Sequence, residues 1–226
     1  MAVRIGSRTI QLNHVPSVVG FAAVGAKKEK EGPLADYFDY LSEDSSFGEK
    51  TWEKAETLMQ KKAIELALQK GGIQKEQIDF LFAGDLLNQC IGSSFAAREQ
   101  HLPFFGLYGA CSTMGEAMSL GAMMVNAGYA DHVLSMASSH FATAEKQFRF
   151  PLAYGNQRPK SATWTVTGCG AAVVGKYGEK GIARIAGIYC RKSDRYWSQR
   201  FYEYGSCHGS GGISYNRTES GGSWNG

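Results

Sequence analysis

The chain has 226 residues, a formal net charge of +3, and 43% hydrophobic against 20% charged residues, enough to bury one core or to form half of a larger duplicated fold. The charge is too small to argue for nucleic acid, and no basic stripe or RNA-binding signature is present. No apolar run reaches transmembrane length; Cys111, Ser112, Thr113, Glu116 and Ser119 interrupt the nearest, Phe105 to Val125.

The opening MAVRIGSRTIQLNHVPS lacks the apolar core of a secretory signal. Alternating apolar positions in VRIGSRTIQL and then SVVGFAAVG predict an opening β-segment, and the polar loop KKEKEGPLADYFD follows. From Thr51 to Lys70, Trp52, Ala55, Met59, Ala63, Leu66 and Ala67 recur at helical spacing, and Gly71-Gly72 stops the helix. QIDFLFAGDL reads as a buried strand ending at Gly84-Asp85, SSFAAREQHL as a short helix and PFFGLYGA as the next strand. Ser112 to Asn126 is apolar on every face and predicts a helix buried in the middle of the molecule. DHVLSMASS is a strand ending at His140, and a long loop follows it. ATWTVTGCGAAVVGKY reads as a hairpin of β-branched and small residues. This alternation predicts a layered α/β fold, helices around a mixed sheet. From Tyr189 to Gly226 the only aliphatic side chain is Ile213, among Ser, Gly, Tyr and Arg. Such a segment cannot bury enough apolar area to offset ordering its backbone, and disorder is expected.

The five cysteines, Cys90, Cys111, Cys169, Cys190 and Cys207, are odd in number and show no CxxC spacing. That fits a reducing compartment, with neither a disulfide framework nor a zinc site, and cytoplasmic is the default. Cys111 lies where a strand hands over to the apolar helix. Free N–H groups and the helix dipole there favour an anion, including a thiolate; a small, inert buried cysteine is the competing reading. His140 ends a strand before a small polar turn. It could face the same cavity as Cys111 as acid, base or hydrogen-bond donor, or be bonded within its own loop. His132, beside Asp131, reads as a surface residue. Asp85 and Asn88 follow a strand terminus, a usual place for ligand-facing side chains in α/β layers, and Asp85 could equally cap the following turn. The stretch from Thr143 to Lys160 interleaves Lys146, Arg149 and Arg158 with Phe148, Phe150 and Tyr154. That mixture suits a flat anionic ligand, although most such loops are solvated or at subunit contacts. Cys169, between Gly168 and Gly170, reads as small-residue packing within a strand.

Several strings together, GPLADYFD, LFAGDLLNQ, LYGACST, SSHFATAEKQFRFP, YGNQRP and TVTGCGAAVV, resemble the stage V sporulation protein AD family of spore-forming bacteria, a branch of the thiolase-like fold. The similarity runs in order from Arg8 to Gly187, the first half of a family member, and implies an N-terminal thiolase-like half-fold over residues 1–187. Residues 188–226 read as an out-of-frame tail. Back-translated and read one base further on, YCRKSDRYWSQRFYEYGSCHGSGG can become TAGKVIDIGVKDFMNMGAAMAPAA, very like the stretch family members carry there. A one-base frameshift near Ile188 accounts for this; a genuine divergent tail is the alternative.

The resemblance implies a non-catalytic pocket for dipicolinic acid, taken as its calcium chelate into the developing spore. Cys111, His140, Asp85, Asn88 and Arg149 are its ligand-binding candidates, with no protein-bound metal or cofactor. It further implies a homodimer in the full-length family, partners in the same spore membrane complex, and a cytoplasmic place peripheral to the forespore membrane. The alternative is an acyltransferase of the thiolase or ketoacyl synthase type with Cys111 as nucleophile. Such enzymes complete the site with His or Asn groups from the second half of the fold, which is missing here. A truncated copy exposes inner apolar faces, so impaired function and poor solubility or molten behaviour are expected.

Overall fold

The computed structural model describes residues 2–148, 164–190 and 212–216. In chain order these form β1 (Val3–Ile5), β2 (Thr9–Gln11), β3 (Ser17–Gly25), α1 (Lys27–Lys30), β4 (Tyr40–Leu41), α2 (Trp52–Gly71) and β5 (Phe80–Gly84). There follow α3 (Ile91–Gln100), β6 (Phe104–Gly106), α4 (Thr113–Asn126), β7 (His132–Ser139), α5 (Phe141–Phe148), β8 (Gly168–Gly175), β9 (Ala183–Tyr189) and β10 (Gly212–Asn216). One mixed sheet runs β1-β2-β9-β3-β8-β7-β5-β6, with β4 beside β3 and β10 beside β9. Strands β3, β5, β6 and β7 point one way; β8 and β9 run against them.

Side chains on successive strand residues point to opposite faces, and this divides the core in two. Leu81, Ala83, Leu134, Met136, Cys169, Ala171 and Val173 face α2 and α3. Phe82, Val133, Ala172 and Val174 face α4. Cys169 is thus the small packing residue that its glycine neighbours suggest.

Helix α2 forms where its apolar period falls. The Thr51 hydroxyl accepts from Lys54 N at 3.3 Å as N-cap, and Gly72 ends the helix with φ at 65°, a conformation that favours glycine. Ala55, Met59, Ala63, Ile64 and Ala67 are all fully buried against the sheet. Complete burial of Met59 or Ile64 is worth about 1.5–3 kcal/mol each. The helix crosses β3 so closely that a Cβ on Gly20 would collide with the Ala67 carbonyl and lie 2.8 Å from Gly71 Cα.

Several expectations differ from what is observed. The stretch expected to be a hairpin contains the single strand β8, paired on both sides with β3 and β7, while β9 pairs with β2 and β3 instead. Its continuous run of small and β-branched residues reflects burial on both faces. Helix α4 is not buried all round: Ala117, Gly121, Ala122 and Val125 are buried, whereas Met114, Met118, Leu120, Met123 and Met124 are only partly covered. His132 is buried rather than on the surface, with Nε2 3.0 Å from Glu179 Oε2. Residues 141–148 form α5 where a loop was expected; no Gly or Pro interrupts them, and Ala144 N donates to the His140 carbonyl at 2.9 Å to begin the helix.

Within the segment expected to be disordered, β10 lies antiparallel along β9. Backbone groups on the free edge of β9 offer a ladder that needs little apolar side-chain area. Among the described residues no helix is long and apolar enough to cross a membrane.

Candidate functional site

Because β5, β6 and β7 are parallel, the chain emerging from each arrives at the same edge of the sheet. Asp85, the segment from Leu107 to Cys111, and His140 follow those three strands. Ligand-facing groups in α/β sheets collect at such strand ends. Gly84 draws the pieces together: a Cβ there would strike the Leu107 carbonyl and come within 2.9 Å of Thr113 Cγ2. Absence of a side chain lets the end of β5 abut both the loop after β6 and the start of α4.

Asp85 is 7% exposed and fully engaged. Its Oδ1 accepts from Leu87 N at 2.9 Å, and its Oδ2 accepts from Ser93 N at 2.8 Å and Ser93 Oγ at 2.7 Å. The carboxylate therefore ties the turn after β5 to the first turn of α3, the capping role open to it from sequence. Asn88 is exposed and begins the short 3-10 turn Asn88–Cys90. Gln89 (φ 60°), Cys90 (φ 50°) and, across the gap, Ala110 (φ 46°) adopt left-handed backbone without being glycine. Such residues cost on the order of 1–3 kcal/mol each and gather at functional sites. Cys90 is buried, with Sγ 3.3 Å from the Leu107 carbonyl oxygen, and burial pushes its thiol up.

Cys111 is exposed at the centre of the 3-10 turn Ala110–Ser112, immediately before α4. The N-terminus of α4 has no side-chain cap. The hydroxyl of Thr113, the first residue of that helix, is buried without a hydrogen-bond partner. Ser112 Oγ turns back to the Gly109 carbonyl at 2.8 Å, and Glu116 is exposed one turn along.

His140 is fully buried. Its Nε2–H donates to the Ser45 carbonyl at 2.8 Å, and Nδ1 accepts from Ala142 N at 3.1 Å, which assigns the neutral tautomer. The ring packs 5.1 Å from Phe141 and 5.2 Å from Trp52, and burial holds its pKa below the usual histidine range. Both nitrogens being occupied, the side chain serves the start of α5, whereas Cys111 stands at the surface. Arg149, with Arg158, Phe150 and Tyr154, lies outside the described residues.

Behind Asp85 sits a group that the sequence pattern did not reveal: Glu56 and Gln60 of α2, both fully buried, bonded to Ser93, Ser138 and Thr143. Their only local signal is i,i+4 spacing on the face that also carries Met59 and Ala63. A separate open groove of about 470 Å³ runs between α2 and α3, lined by Glu53, Lys54, Lys61, Phe95, Arg98 and Glu99 among others. Its charges are of both signs, and Lys61 and Glu99 pair at 2.7 Å.

A mixed sheet covered by helices on both faces, with a cysteine turn leading into α4, defines a thiolase-like α/β protein. The chain superposes on 3-oxoacyl-[acyl-carrier-protein] synthase III from Aquifex aeolicus with a TM-score of 0.55 at 15% identity, over 79% of this chain and 58% of that one. On a mutant of CsyB the TM-score is 0.57 at 16% identity, over 90% and 68% of the two chains. Within this class the chain belongs to the stage V sporulation protein AD family, whose model matches residues 6–192. Stage V sporulation protein AD of Bacillus subtilis (strain 168) is 42% identical over 169 residues, 75% of this chain and 50% of that protein. The chain thus spans half the length of that relative.

Proposed function

We propose that the edge carrying Asp85 and Cys111 is one wall of a pocket that binds dipicolinic acid, as its calcium chelate, without turnover. One observation carries this reading: the uncapped N-terminus of α4 and the unpartnered, buried hydroxyl of Thr113 stand together beside exposed Cys111. The helix dipole at the start of α4 favours a carboxylate, and the Thr113 hydroxyl adds a donor. Glu116, exposed in that first turn, opposes a bare dianion and favours the chelated form. His140 supports binding over catalysis, because both of its nitrogens are committed elsewhere. On this reading the protein works peripheral to the forespore membrane, with the other proteins of that membrane complex and a second copy of itself as partners.

Calorimetric titration of calcium dipicolinate into the chain extended to the full family length tests the proposal. Saturable binding is expected, weakened about tenfold by Thr113→Val, the loss of one hydrogen bond to a charged group; absence of saturable binding sinks it. Exposure of Cys111 favours acyl transfer as the second reading. An acyl adduct on Cys111, detected by mass spectrometry after incubation with acyl-CoA, would establish that reading instead.

A further inference from the structure

Glu56 and Gln60 lie one turn apart on α2 and face the ends of the strands. Ser138 Oγ donates to Glu56 Oε1 at 2.8 Å, and Thr143 Oγ1 donates to Glu56 Oε2 at 2.8 Å. Gln60 Nε2 donates to Ser138 Oγ at 2.7 Å and to Ser93 Oγ at 3.3 Å. Ser93 Oγ then donates to Asp85 Oδ2 at 2.7 Å. Two buried carboxyl groups are thereby joined through a hydroxyl, an amide and a second hydroxyl, with no cation inside the chain of bonds.

The ionisable groups facing Glu56 are Asp85 after β5, Glu53 a turn earlier on α2, and Cys169 on β8. Neighbouring α3 contributes Ser93 and α5 contributes Thr143, neither of which ionises at neutral pH. Glu53 is itself paired with Lys146 of α5 at 3.1 Å. Burial, and after it the charge on Asp85, push the Glu56 carboxyl up to about 7. Like charges in such a low-dielectric setting repel strongly, and a proton on one relieves both.

We infer that Glu56 is a proton-linked positioning residue for Asp85. With Glu56 protonated, Asp85 is the single charge in the network and holds the turn from 85 to 93 closed. With Glu56 ionised, the two carboxylates oppose each other and that turn loosens. Thr143 gives the protonated arrangement its acceptor: Glu56 donates through Oε2 to Thr143 Oγ1, whose own proton turns to the His140 carbonyl at 3.0 Å, and the Gln60 bonds stay as they are. Control of ligand affinity by this turn rests on the dipicolinate reading above; the linkage itself does not.

Hydrogen–deuterium exchange read by mass spectrometry on this chain, at pH 6 and pH 8 and corrected for intrinsic exchange, decides the matter. Segment 86–94 is expected to exchange severalfold faster at pH 8, while segment 114–125 in the other core moves less. The difference disappears in Glu56→Gln. Equal protection of segment 86–94 at both pH values in the unaltered chain overturns the inference without any variant. Should Glu56→Gln fail to fold, Ser138→Ala keeps Glu56 but removes a hydrogen bond to its ionised form, so the pH response should move upward; an unmoved response there also overturns it. Dipicolinate titration of the full-length form at the same two pH values keeps the claims apart, since absent binding removes the functional reading while exchange alone decides the linkage.

Discussion

Thr143 Oγ1 touches both Glu56 and the His140 carbonyl, so the two buried titratable groups share one polar cluster, and they bias stability in opposite directions. Glu56 binds its proton more tightly folded, near pH 7, than at its ordinary value of 4.5. Its contribution is therefore fully present below pH 4.5 and lost as pH rises through 7, about 3 kcal/mol over the whole span. His140 is depressed below 6.5 by burial. Its contribution is present above that value and lost as pH falls through the depressed one. Urea denaturation of the wild-type chain between pH 4.5 and 8.5 should show stability declining toward the alkaline end. Glu56→Gln should remove that decline and leave the acid-side loss due to His140 in view. A variant profile that merely parallels the wild type would contradict this assignment.

Elements were legible from sequence where their determinants are local, and illegible where the partner is remote. Helix α2 carries its own apolar period, its Thr51 cap and its Gly72 stop, so a window of twenty residues suffices. The capping role of Asp85 is equally local, two residues from Leu87 N. Glu56 and Gln60 carry no local mark of their burial, because their partners, Ser93, Ser138 and Thr143, arrive from 33 to 87 positions away. Strand β8 was mistaken for a hairpin for the same reason: β3 and β7 complete its ladder, and neither adjoins it in sequence. Where elements meet, the sharpest constraint is at Gly84, whose missing side chain lets β5 reach the Leu107 carbonyl and Thr113. Gly84→Ala forces backbone apart, since a carbonyl cannot yield like the end of a flexible side chain, and should cost about 1–3 kcal/mol. Thermal melts should register that loss, and an unshifted midpoint would show that these elements do not abut as described.

For the whole molecule the decisive feature is which face of α4 is covered. Its small residues, Ala117, Gly121 and Ala122, pack on the sheet, while Met114, Met118, Leu120, Met123 and Met124 are partly buried and pack against the rim of that core. Methionine is flexible and polarizable, suited to an adaptable apolar surface, and a partly accessible row of such side chains favours association. The 226-residue chain alone should then bind a hydrophobic dye such as anilinonaphthalene sulfonate and self-associate with rising concentration. Met118→Gln with Met123→Gln should lower dye binding severalfold, at some cost in stability because both side chains also pack against the core beneath α4. A dye-silent monomer would mean that this face is closed within the chain itself.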